Sequence, residues 1–287
     1  MVIVHYGDPR PTYRCIRSLL EDPSPVERRI VVVDNSGNFP GADGIHVLVC
    51  PDNPGFGEGV NRGANVFAGD QPDALVALNH DVEVVPGFLT AALRNLQRPG
   101  VGAVGGPLFW ADGKTLWACG GWVFWPLGVV VQARSLGRAW RSRAVGFLPG
   151  AALALRWDAF HGVGGFDPRF FMYHEDLDLC LRLRRAGWKL WYSPGMAAVH
   201  HLGSATGSHA YSPLYLEQLT KTRLRPFRPL AFRLWLALVH SVYVGLRWAS
   251  FEVRGRREQA RALLRGHRAA LASLGEKPLP VLRKAEE

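Results

Sequence analysis

The sequence has little cysteine, no long uncharged apolar run and no basic leader. Its four cysteines (Cys15, Cys50, Cys119 and Cys180) are scattered and form no CxxC pair. This pattern predicts reduced thiols in a cytosolic compartment and excludes a zinc knuckle. No run of 18 apolar residues is free of charge, which argues against a membrane-spanning helix. Residues 1–6 (MVIVHY) lack the basic stretch and the cleavage site of a secretory signal.

The net positive charge is concentrated at one end of the chain. Apolar residues make up 48% and charged residues 20% of the 287 residues, which indicates a folded protein with a sizeable core. The net charge is +10; residues 201–287 hold 15 Lys and Arg against 6 Glu, whereas residues 1–200 hold 19 against 18 acidic residues. The basic end favours contact with nucleic acid or with an anionic membrane surface.

Strand-like and helical segments alternate along the first 105 residues. Predicted strands cover 2–6, 29–34, 46–50, 74–78 and 101–105, and predicted helices cover 12–20, 60–68 and 88–96. This order predicts an α/β fold with a doubly wound, mostly parallel sheet. Ligands of such sheets bind beyond the carboxyl ends of the strands. Further along, the pattern predicts a hairpin or loop at 120–132, a strand at 147–156, a helix at 175–186 and a strand at 188–192.

The composition changes from about residue 211 onward. Residues 234–246 are apolar except for His240 and Ser241. Because thirteen residues are too few to span a bilayer as a helix, this segment is predicted either to lie in a membrane interface or to pack on the preceding domain. A basic helix is predicted at 254–268. We therefore expect one domain at 1–210 and a basic, amphipathic helical region at 211–287.

Two candidate binding segments follow predicted strands in the first half of the chain. Asp34 ends the strand at 29–34, where it could accept hydrogen bonds from a base or a ribose, or shape the following turn. Gly57, Gly59 and Gly63 could let the backbone approach a phosphate. Their spacing, GxGxxxG, differs from the GxGxxG of dinucleotide-binding proteins. This difference disfavours a dinucleotide-dependent oxidoreductase.

A candidate metal site comes from two further segments. Asp81 follows the strand at 74–78, and its carboxylate suits a divalent cation that would neutralise a diphosphate leaving group. His200 and His201 follow a strand-like segment and can supply one metal ligand, or they are ordinary polar residues.

A candidate general base comes from the acidic start of a predicted helix. Glu175, Asp176 and Asp178 lie within four residues, where the helix dipole favours charged carboxylates. A carboxylate that stays ionised beside a substrate hydroxyl can act as a general base. The alternative is that these residues only cap the helix.

Taken together and in this order, the motifs resemble those of the family 2 glycosyltransferases, which have the GT-A fold. The resemblance is strongest to a rhamnosyltransferase-like branch that acts on bacterial surface polysaccharides. The matching pieces are VVVDNS (31–36), NPGFGEGVNRG (53–63), LNHDV (78–82), GFLPGA (146–151) and GFDPRFFMYHEDLDLCLR (165–182). They fall within about residues 1–210, and the last piece is the most specific.

The resemblance implies a role for each matching residue. Asp176 matches the catalytic base and stands beside Glu175. Asp81 matches the last acid of a DxD-like motif that holds Mg²⁺ or Mn²⁺ on the sugar nucleotide, and His200, or else His201, matches a histidine that completes the metal site. Contacts with the donor are implied for Tyr6, Asp8, Asp34, Asn53, Gly57, Asn61, Asn79 and Gly150. Two of these depart from the family pattern, since Asn79 replaces an Asp and Asp8 stands near a usual Asn.

The implied reaction is one displacement that inverts the anomeric carbon. Asp176 takes the proton of an acceptor hydroxyl while the nucleoside diphosphate leaves, so positioning and electrostatic stabilisation supply most of the acceleration. The implied donor is dTDP-rhamnose, a UDP-sugar or a GDP-sugar, and the acceptor is a glycan or a lipid-linked saccharide. Tryptophans between 110 and 125 could form a wall for the acceptor sugar. The expected location is the cytoplasm, including the inner face of the plasma membrane.

Two other readings of the sequence stay open. A nucleic-acid-binding protein would explain the basic end, although the positive charge avoids the acidic candidate site, so we expect no nucleic-acid partner. A catalytically inactive relative that binds sugar nucleotides would keep the same motifs.

Overall fold

The computed structural model describes residues 1–132, 140–201, 212–277 and 279. Its strands are β1 (Val2–His5), β2 (Val31–Asp34), β3 (His46–Val49), β4 (Ala74–Asn79), β5 (Val82–Val84), β6 (Val101–Gly105), β7 (Leu108–Phe109), β8 (Leu116–Ala118), β9 (Gly121–Phe124), β10 (Val129–Gln132), β11 (Arg143–Val145), β12 (Ala152–Arg156), β13 (Lys189–Tyr192) and β14 (Ala198–His200). Its helices are α1 (Pro9–Leu20), α2 (Phe56–Asn65), α3 (Phe88–Leu96), α4 (Trp157–Gly162), α5 (Glu175–Arg185), α6 (Pro213–Lys221), α7 (Leu230–Val253) and α8 (Arg257–Ala272).

A central eight-stranded sheet has the order β11-β13-β6-β12-β4-β1-β2-β3. β4, β1, β2 and β3 are parallel neighbours, and β12 runs antiparallel between β4 and β6. The predicted α/β fold with a mostly parallel sheet is therefore confirmed. Because parallel strands end at one edge, His5, Asp34 and Asn79 lie together at that edge.

Alternate residues of the central strands pack on opposite faces of the sheet. Val2 and Val4 of β1 face α2 in one core cluster. Ile3, between them, faces α1 and α3 in the other. Successive side chains of a strand point to opposite faces of the sheet. Because helices cover both faces here, every side chain of the four-residue strand β1 is buried.

Helix α2 begins four residues earlier than the predicted helix at 60–68, because the glycines lie inside it. A Cβ on Gly63 would lie 2.5 Å from Val2 Cγ1, and one on Gly59 would lie 3.1 Å from Val4 Cγ1. These glycines therefore let the helix pack closely on β1. Their predicted approach to a phosphate stays a prediction.

A smaller four-stranded sheet has the order β5-β14-β7-β8. β14 pairs antiparallel with β5 so that His200 lies opposite Val82. This register brings His200 next to Asp81, which precedes β5. The predicted hairpin at 120–132 is confirmed as the antiparallel pair of β9 and β10. The predicted strand at 147–156 is shorter, since only Ala152–Arg156 form β12.

Helix α7 is longer than the thirteen apolar residues that predicted it. It runs for 24 residues, through Arg233 and Arg247. In the described part of the chain it is the one helix with the length and apolar composition to cross a membrane. The expectation that this segment is too short was wrong because both arginines are accommodated: Arg233 donates to the carbonyls of Ser273 and Glu276, and Arg247 lies over the Phe251 ring.

The C-terminal helices pack on the first domain through part of their surface. Leu236 and Ala237 of α7 belong to the same core cluster as Phe147 and Leu177, while α7 also packs on α8. The predicted helical extension is present. The predicted boundary between residues 210 and 211 lies outside the described residues.

Candidate functional site

Asp34 is buried beneath the loop that follows β2. It is 1% exposed, and its two carboxylate oxygens accept hydrogen bonds from the backbone N–H groups of Ser36, Gly37 and Phe39. Burial opposes ionisation, but these hydrogen bonds outweigh it and lower the pKa of Asp34 below its usual value. Asp34 therefore stays ionised and shapes this loop, while its contact with a nucleotide stays a prediction.

Asp8 and Tyr6 lie beside this loop, after β1. Asp8 caps α1, since its Oδ1 accepts from the N–H of Arg10, and the two side chains form an ion pair. Tyr6 is 42% exposed, so its side chain is available to a ligand at the carboxyl edge. Donor contacts by both residues stay predictions.

The glycine-rich segment at 53–63 packs against the segment that precedes the acidic helix. Asn61 donates to the carbonyl of Phe166 at 2.9 Å and accepts from its N–H at 2.8 Å. A Cβ on Gly57 would lie 2.9 Å from Phe166 Cβ, and one on Gly55 would lie 2.1 Å from Phe171 O. This segment therefore positions residues 166–171. Donor contacts by Asn53, Gly57 and Asn61 stay predictions.

Replacing Gly55 with alanine is expected to destabilise the fold by about 3 kcal/mol or more, because the new methyl group meets Phe171 O and the residue has φ +88°. Gly164→Ala is the matched control: its φ is +77°, with no atom within 4 Å of the new Cβ, so we expect a cost of about 1 kcal/mol. Urea unfolding measures both. Equal losses would contradict the close packing of Gly55.

Asp81 and His200 form a polar pair at the carboxyl edge. Asp81 Oδ1 lies 3.0 Å from His200 Nε2, and Asn79 Nδ2 lies 3.3 Å from the same nitrogen. Both members of the pair are buried, and the Trp117 ring packs edge-on against His200 with a centroid distance of 4.7 Å. The fallback ligand, His201, is bound instead to Glu83 at 2.9 Å.

The Asp81–His200 pair has the donor chemistry of a divalent-cation site. One carboxylate oxygen and one imidazole nitrogen converge, and in the described part of the chain His200 Nδ1 is buried without a hydrogen-bond partner. The described residues contain no group of three or more His, Cys, Asp or Glu that could hold a metal ion. A cation bound here would therefore take its other ligands from a substrate or from water.

Glu175 and Asp176 begin α5 after a constrained turn. Tyr173 and His174 both have a positive φ, +67° and +65°, which is uncommon for residues other than glycine and concentrates at functional sites. His174 Nδ1 lies 2.9 Å from Thr222 Oγ1, which ties the turn to the C-terminal region. The chain is thus held in a strained conformation immediately before the two carboxylates.

Asp176 is oriented by backbone N–H groups. Its Oδ2 accepts from Gly150 N at 3.0 Å, and its Oδ1 accepts from Leu177 N at 2.7 Å. A Cβ on Gly150 would lie 3.0 Å from Asp176 Cβ. Gly150 therefore positions Asp176, and its predicted contact with the donor stays a prediction. This use of Gly150 and the preceding Pro149 explain why residues 147–151 form no regular strand.

Burial governs the charge of these two carboxylates. It raises the pKa of Asp176 and of Glu175, and repulsion from Asp176 raises the pKa of Glu175 further. The prediction that the helix dipole favours the charged forms is therefore overridden by desolvation. Asp178, the third acid, instead forms a buried ion pair with Arg182 at 2.6 Å, so its role is structural.

Replacing Glu175 with glutamine is expected to stabilise the protein by about 1–3 kcal/mol at pH 9 and much less at pH 5. The folded-state pKa of Glu175 is raised, so the wild type loses stability as pH rises from the unfolded pKa through the folded one. Glutamine does not titrate. Thermal unfolding at both pH values measures the difference.

The matched control for this stability change is Glu258→Gln. Glu258 lies in the first turn of α8 and is exposed, so its replacement should change stability little at either pH. A stabilisation by Glu175→Gln that is the same at pH 5 and pH 9 would contradict a raised pKa at Glu175.

The Asp81–His200 pair and the two carboxylates, Glu175 and Asp176, lie at the same edge of the sheet. Asn79 N donates to Ala151 O at 2.9 Å. The neighbouring Gly150 donates to Asp176, while Asn79 contacts His200. These contacts, joined through the backbone between Gly150 and Ala151, therefore link the two halves of the candidate site.

Two structural contributors to the site were missed by sequence reasoning. Gly55 packs on Phe171 O, and only its Pro-Gly context signalled a turn. Trp117 packs on His200, and no sequence signal pointed to this contact. Of the four tryptophans predicted to form an acceptor wall, Trp110, Trp122 and Trp125 are exposed and Trp117 is partly buried.

A separate cavity of about 260 Å³ lies at the amino-terminal edge of the sheet. It is lined by Met1, Ala74 and Leu89, among others. None of the candidate site residues lines it; they lie at the opposite, carboxyl edge of the sheet.

Comparison with known proteins decides the family. Residues 3–227 match the family model described as glycosyltransferase like family 2. The chain belongs to glycosyltransferase family 2. It is similar to the N-acetylglucosaminyl-diphospho-decaprenol L-rhamnosyltransferase of Mycobacterium tuberculosis H37Rv, with 36% identity over 193 residues. That alignment covers 59% of this chain and 63% of the relative, so the chain matches less than two thirds of the length of that enzyme.

Solved structures of glycosyltransferases share the fold. GalNAc-T7 with UDP, GalNAc and Mn²⁺ aligns with a TM-score of 0.57 at 15% identity, covering 77% of this chain and 46% of that chain. The mannosyltransferase PcManGT of Pyrobaculum calidifontis, in complex with GDP-Man and Mn²⁺, aligns with a TM-score of 0.53 at 15% identity, covering 97% and 75%. The expected GT-A fold of this family 2 glycosyltransferase is confirmed.

Proposed function

We propose that this family 2 glycosyltransferase moves L-rhamnose from dTDP-rhamnose to a hydroxyl of a lipid-linked saccharide during the synthesis of a cell-surface polysaccharide. The observation that carries the proposal is the connection, at one sheet edge, between the Asp81–His200 pair and the oriented carboxylate of Asp176. The similarity to a mycobacterial rhamnosyltransferase supports the choice of sugar and acceptor.

Asp176 is proposed to be the general base. Gly150 N and Leu177 N hold its oxygens, and its raised pKa makes it a stronger base than an exposed aspartate. It accepts the proton of the acceptor hydroxyl as that oxygen bonds to the anomeric carbon. The bond from this carbon to the diphosphate oxygen breaks in the same step. A single displacement inverts the configuration.

Glu175 and the Asp81–His200 pair have supporting roles in this proposal. The raised pKa of Glu175 keeps it protonated beside an ionised Asp176, so the pair carries one negative charge. Asp81 and His200 would hold Mg²⁺ or Mn²⁺ against the donor, and the imidazole favours Mn²⁺. A bound cation supplies neutralisation of the charge that develops on the diphosphate.

A nucleotide panel tests the function. The full chain is incubated with dTDP, UDP or GDP, each with and without Mn²⁺, and thermal unfolding is recorded. We expect dTDP with Mn²⁺ to give the largest rise in Tm, because dTDP is the nucleotide of the proposed donor. A ligand at 100 times its Kd adds about 2.7 kcal/mol of stability. A larger shift with UDP or GDP would contradict the donor, and no shift with any nucleotide would contradict sugar transfer from a nucleotide donor.

The product gives a second, independent measurement. Transfer from dTDP-rhamnose to a polyprenyl-diphosphate saccharide is followed by NMR of the new anomeric centre. We expect the configuration opposite to that of the donor. Retention would contradict the single displacement.

A further inference from the structure

Helix α7 presents a continuous apolar face to solvent. The exposed side chains on it are Leu230, Leu234, Trp235, Leu238, Val242, Tyr243, Leu246, Trp248 and Val253. At about 100° per residue they fall on one broad side of the helix, opposite the buried Leu236, His240 and Val244. We call this set the α7 face. It is about 36 Å long, and among the described residues those side chains stay open to solvent. A soluble surface rarely leaves so large an apolar area uncovered.

The tip of the β9–β10 hairpin extends the α7 face. Phe124, Trp125 and Leu127 at this tip are between 44% and 48% exposed. Trp235 Nε1 donates to Pro126 O at 2.9 Å, and the Trp125 ring packs on Phe232 with a centroid distance of 5.8 Å. The hairpin tip and the α7 face therefore form one apolar surface built from two distant parts of the sequence.

The charges around this surface point to one kind of partner. Between residues 230 and 253 the charged side chains are Arg233, Arg247 and Glu252, and Arg233 is buried. Arg254, Arg256 and Arg257 follow the end of the face and are exposed. An apolar stripe that contains Trp and Tyr and ends in arginines matches the interface of a bilayer with anionic headgroups.

We propose that the α7 face and the hairpin tip dock this protein on an anionic membrane surface, with α7 lying in the plane of the interface. A second copy of the chain would not explain the exposed arginines that end the α7 face, and the test below distinguishes it. Spanning also fits less well. The opposite side of α7 buries Leu236, Ala237 and Val244, and this packing would be lost.

The hairpin that forms part of this surface is connected to the segment that holds the candidate base. The base of the hairpin is joined to residues 146–147 by hydrogen bonds from Gly121 N to Phe147 O and from Gly146 N to Gly121 O. Three residues beyond Phe147, Gly150 binds Asp176. If the proposed function holds, a hydroxyl on a membrane-embedded acceptor approaches Asp176 from the docked side.

Vesicle flotation of the full chain tests the docking. Two kinds of vesicle are compared: phosphatidylcholine with about 30% phosphatidylglycerol, which is anionic, and pure phosphatidylcholine, which is neutral. We expect binding to the anionic vesicles that weakens as salt is raised. Leu238→Glu with Leu246→Glu should weaken it about 10²-fold, because two exposed leucines leave the lipid and two negative charges enter.

The matched control is Leu20→Glu with Val66→Glu. Leu20 and Val66 are 55% and 39% exposed and lie at the amino-terminal edge of the sheet, away from the α7 face. This variant should bind like the wild type. Docking is contradicted if the wild type does not bind vesicles or if the α7 variant binds as well as the wild type. Resistance of the bound protein to carbonate extraction would indicate a spanning helix instead. A wild type that is dimeric and does not bind vesicles, with a monomeric α7 variant, would indicate a dimer interface.

Failure of docking and failure of sugar transfer are distinguishable. Flotation uses neither donor nor acceptor, so it reports docking alone. In the transfer assay, the Leu238→Glu, Leu246→Glu variant should act on a water-soluble acceptor at the wild-type rate and lose activity about tenfold or more on an acceptor embedded in anionic vesicles. Equal losses on both acceptors would contradict a docking role for α7.

Discussion

Replacing Asp176 with asparagine is expected to lower kcat for sugar transfer by about 10²–10⁴-fold, the usual contribution of a general base. The KM for the donor should change little, because the acceptor proton and not the nucleotide meets this residue. The asparagine carbonyl can still accept from Gly150 N, so the fold should persist. Initial rates with the lipid-linked acceptor measure the loss.

The control for Asp176→Asn is the same substitution at Asp158. Asp158 is exposed at the start of α4, at the opposite edge of the sheet, so its replacement should leave kcat unchanged. An Asp176→Asn variant with wild-type kcat would remove the proposed base. If Asp176→Asn and Asp158→Asn both lose activity while still binding dTDP with Mn²⁺, the loss would not be specific to Asp176.

The pH profile adds a second readout for Asp176. A base works only when deprotonated, and burial raises the pKa of Asp176. Activity of the wild type should therefore fall as pH decreases through a value above the usual aspartate pKa of about 4. The residual activity of Asp176→Asn should lack this fall.

Replacing His200 with alanine is expected to weaken the Mn²⁺-dependent binding of dTDP by about 10²-fold. Asp81 alone would then supply the protein's part of the cation site, since in the described structure His200 Nε2 is the nitrogen that faces it. The measurement is the rise in Tm with dTDP as Mn²⁺ is titrated. A large excess of Mn²⁺ should restore part of the binding.

The neighbouring histidine provides the matched control. His201 is bound to Glu83, so His201→Ala should keep the Mn²⁺ dependence. His200→Ala also opens space beside Trp117 and lowers stability in the absence of ligand. For this reason the shift caused by dTDP is compared with and without Mn²⁺ within each variant. An unchanged Mn²⁺ requirement in His200→Ala would contradict the proposed cation site.

Local sequence patterns predicted the elements well where one physical signal dominates. Helix α3 has the predicted bounds at 88–96, since its apolar period is regular. Helix α2 begins earlier than predicted, because its glycines pack on β1 rather than break the helix. Helix α7 is longer than its apolar run, because the tertiary structure provides partners for two arginines that the run did not contain.

By itself, the sequence determined the α/β class, since period and composition are local properties of the chain, and its motifs carried the resemblance to the family. Only the tertiary structure decided that His200 faces Asp81 while His201 faces Glu83, and that Gly150 holds Asp176. It also decided that burial outweighs the helix dipole at Glu175. Strand register, close packing and desolvation depend on residues far apart in the sequence, and no local pattern records them.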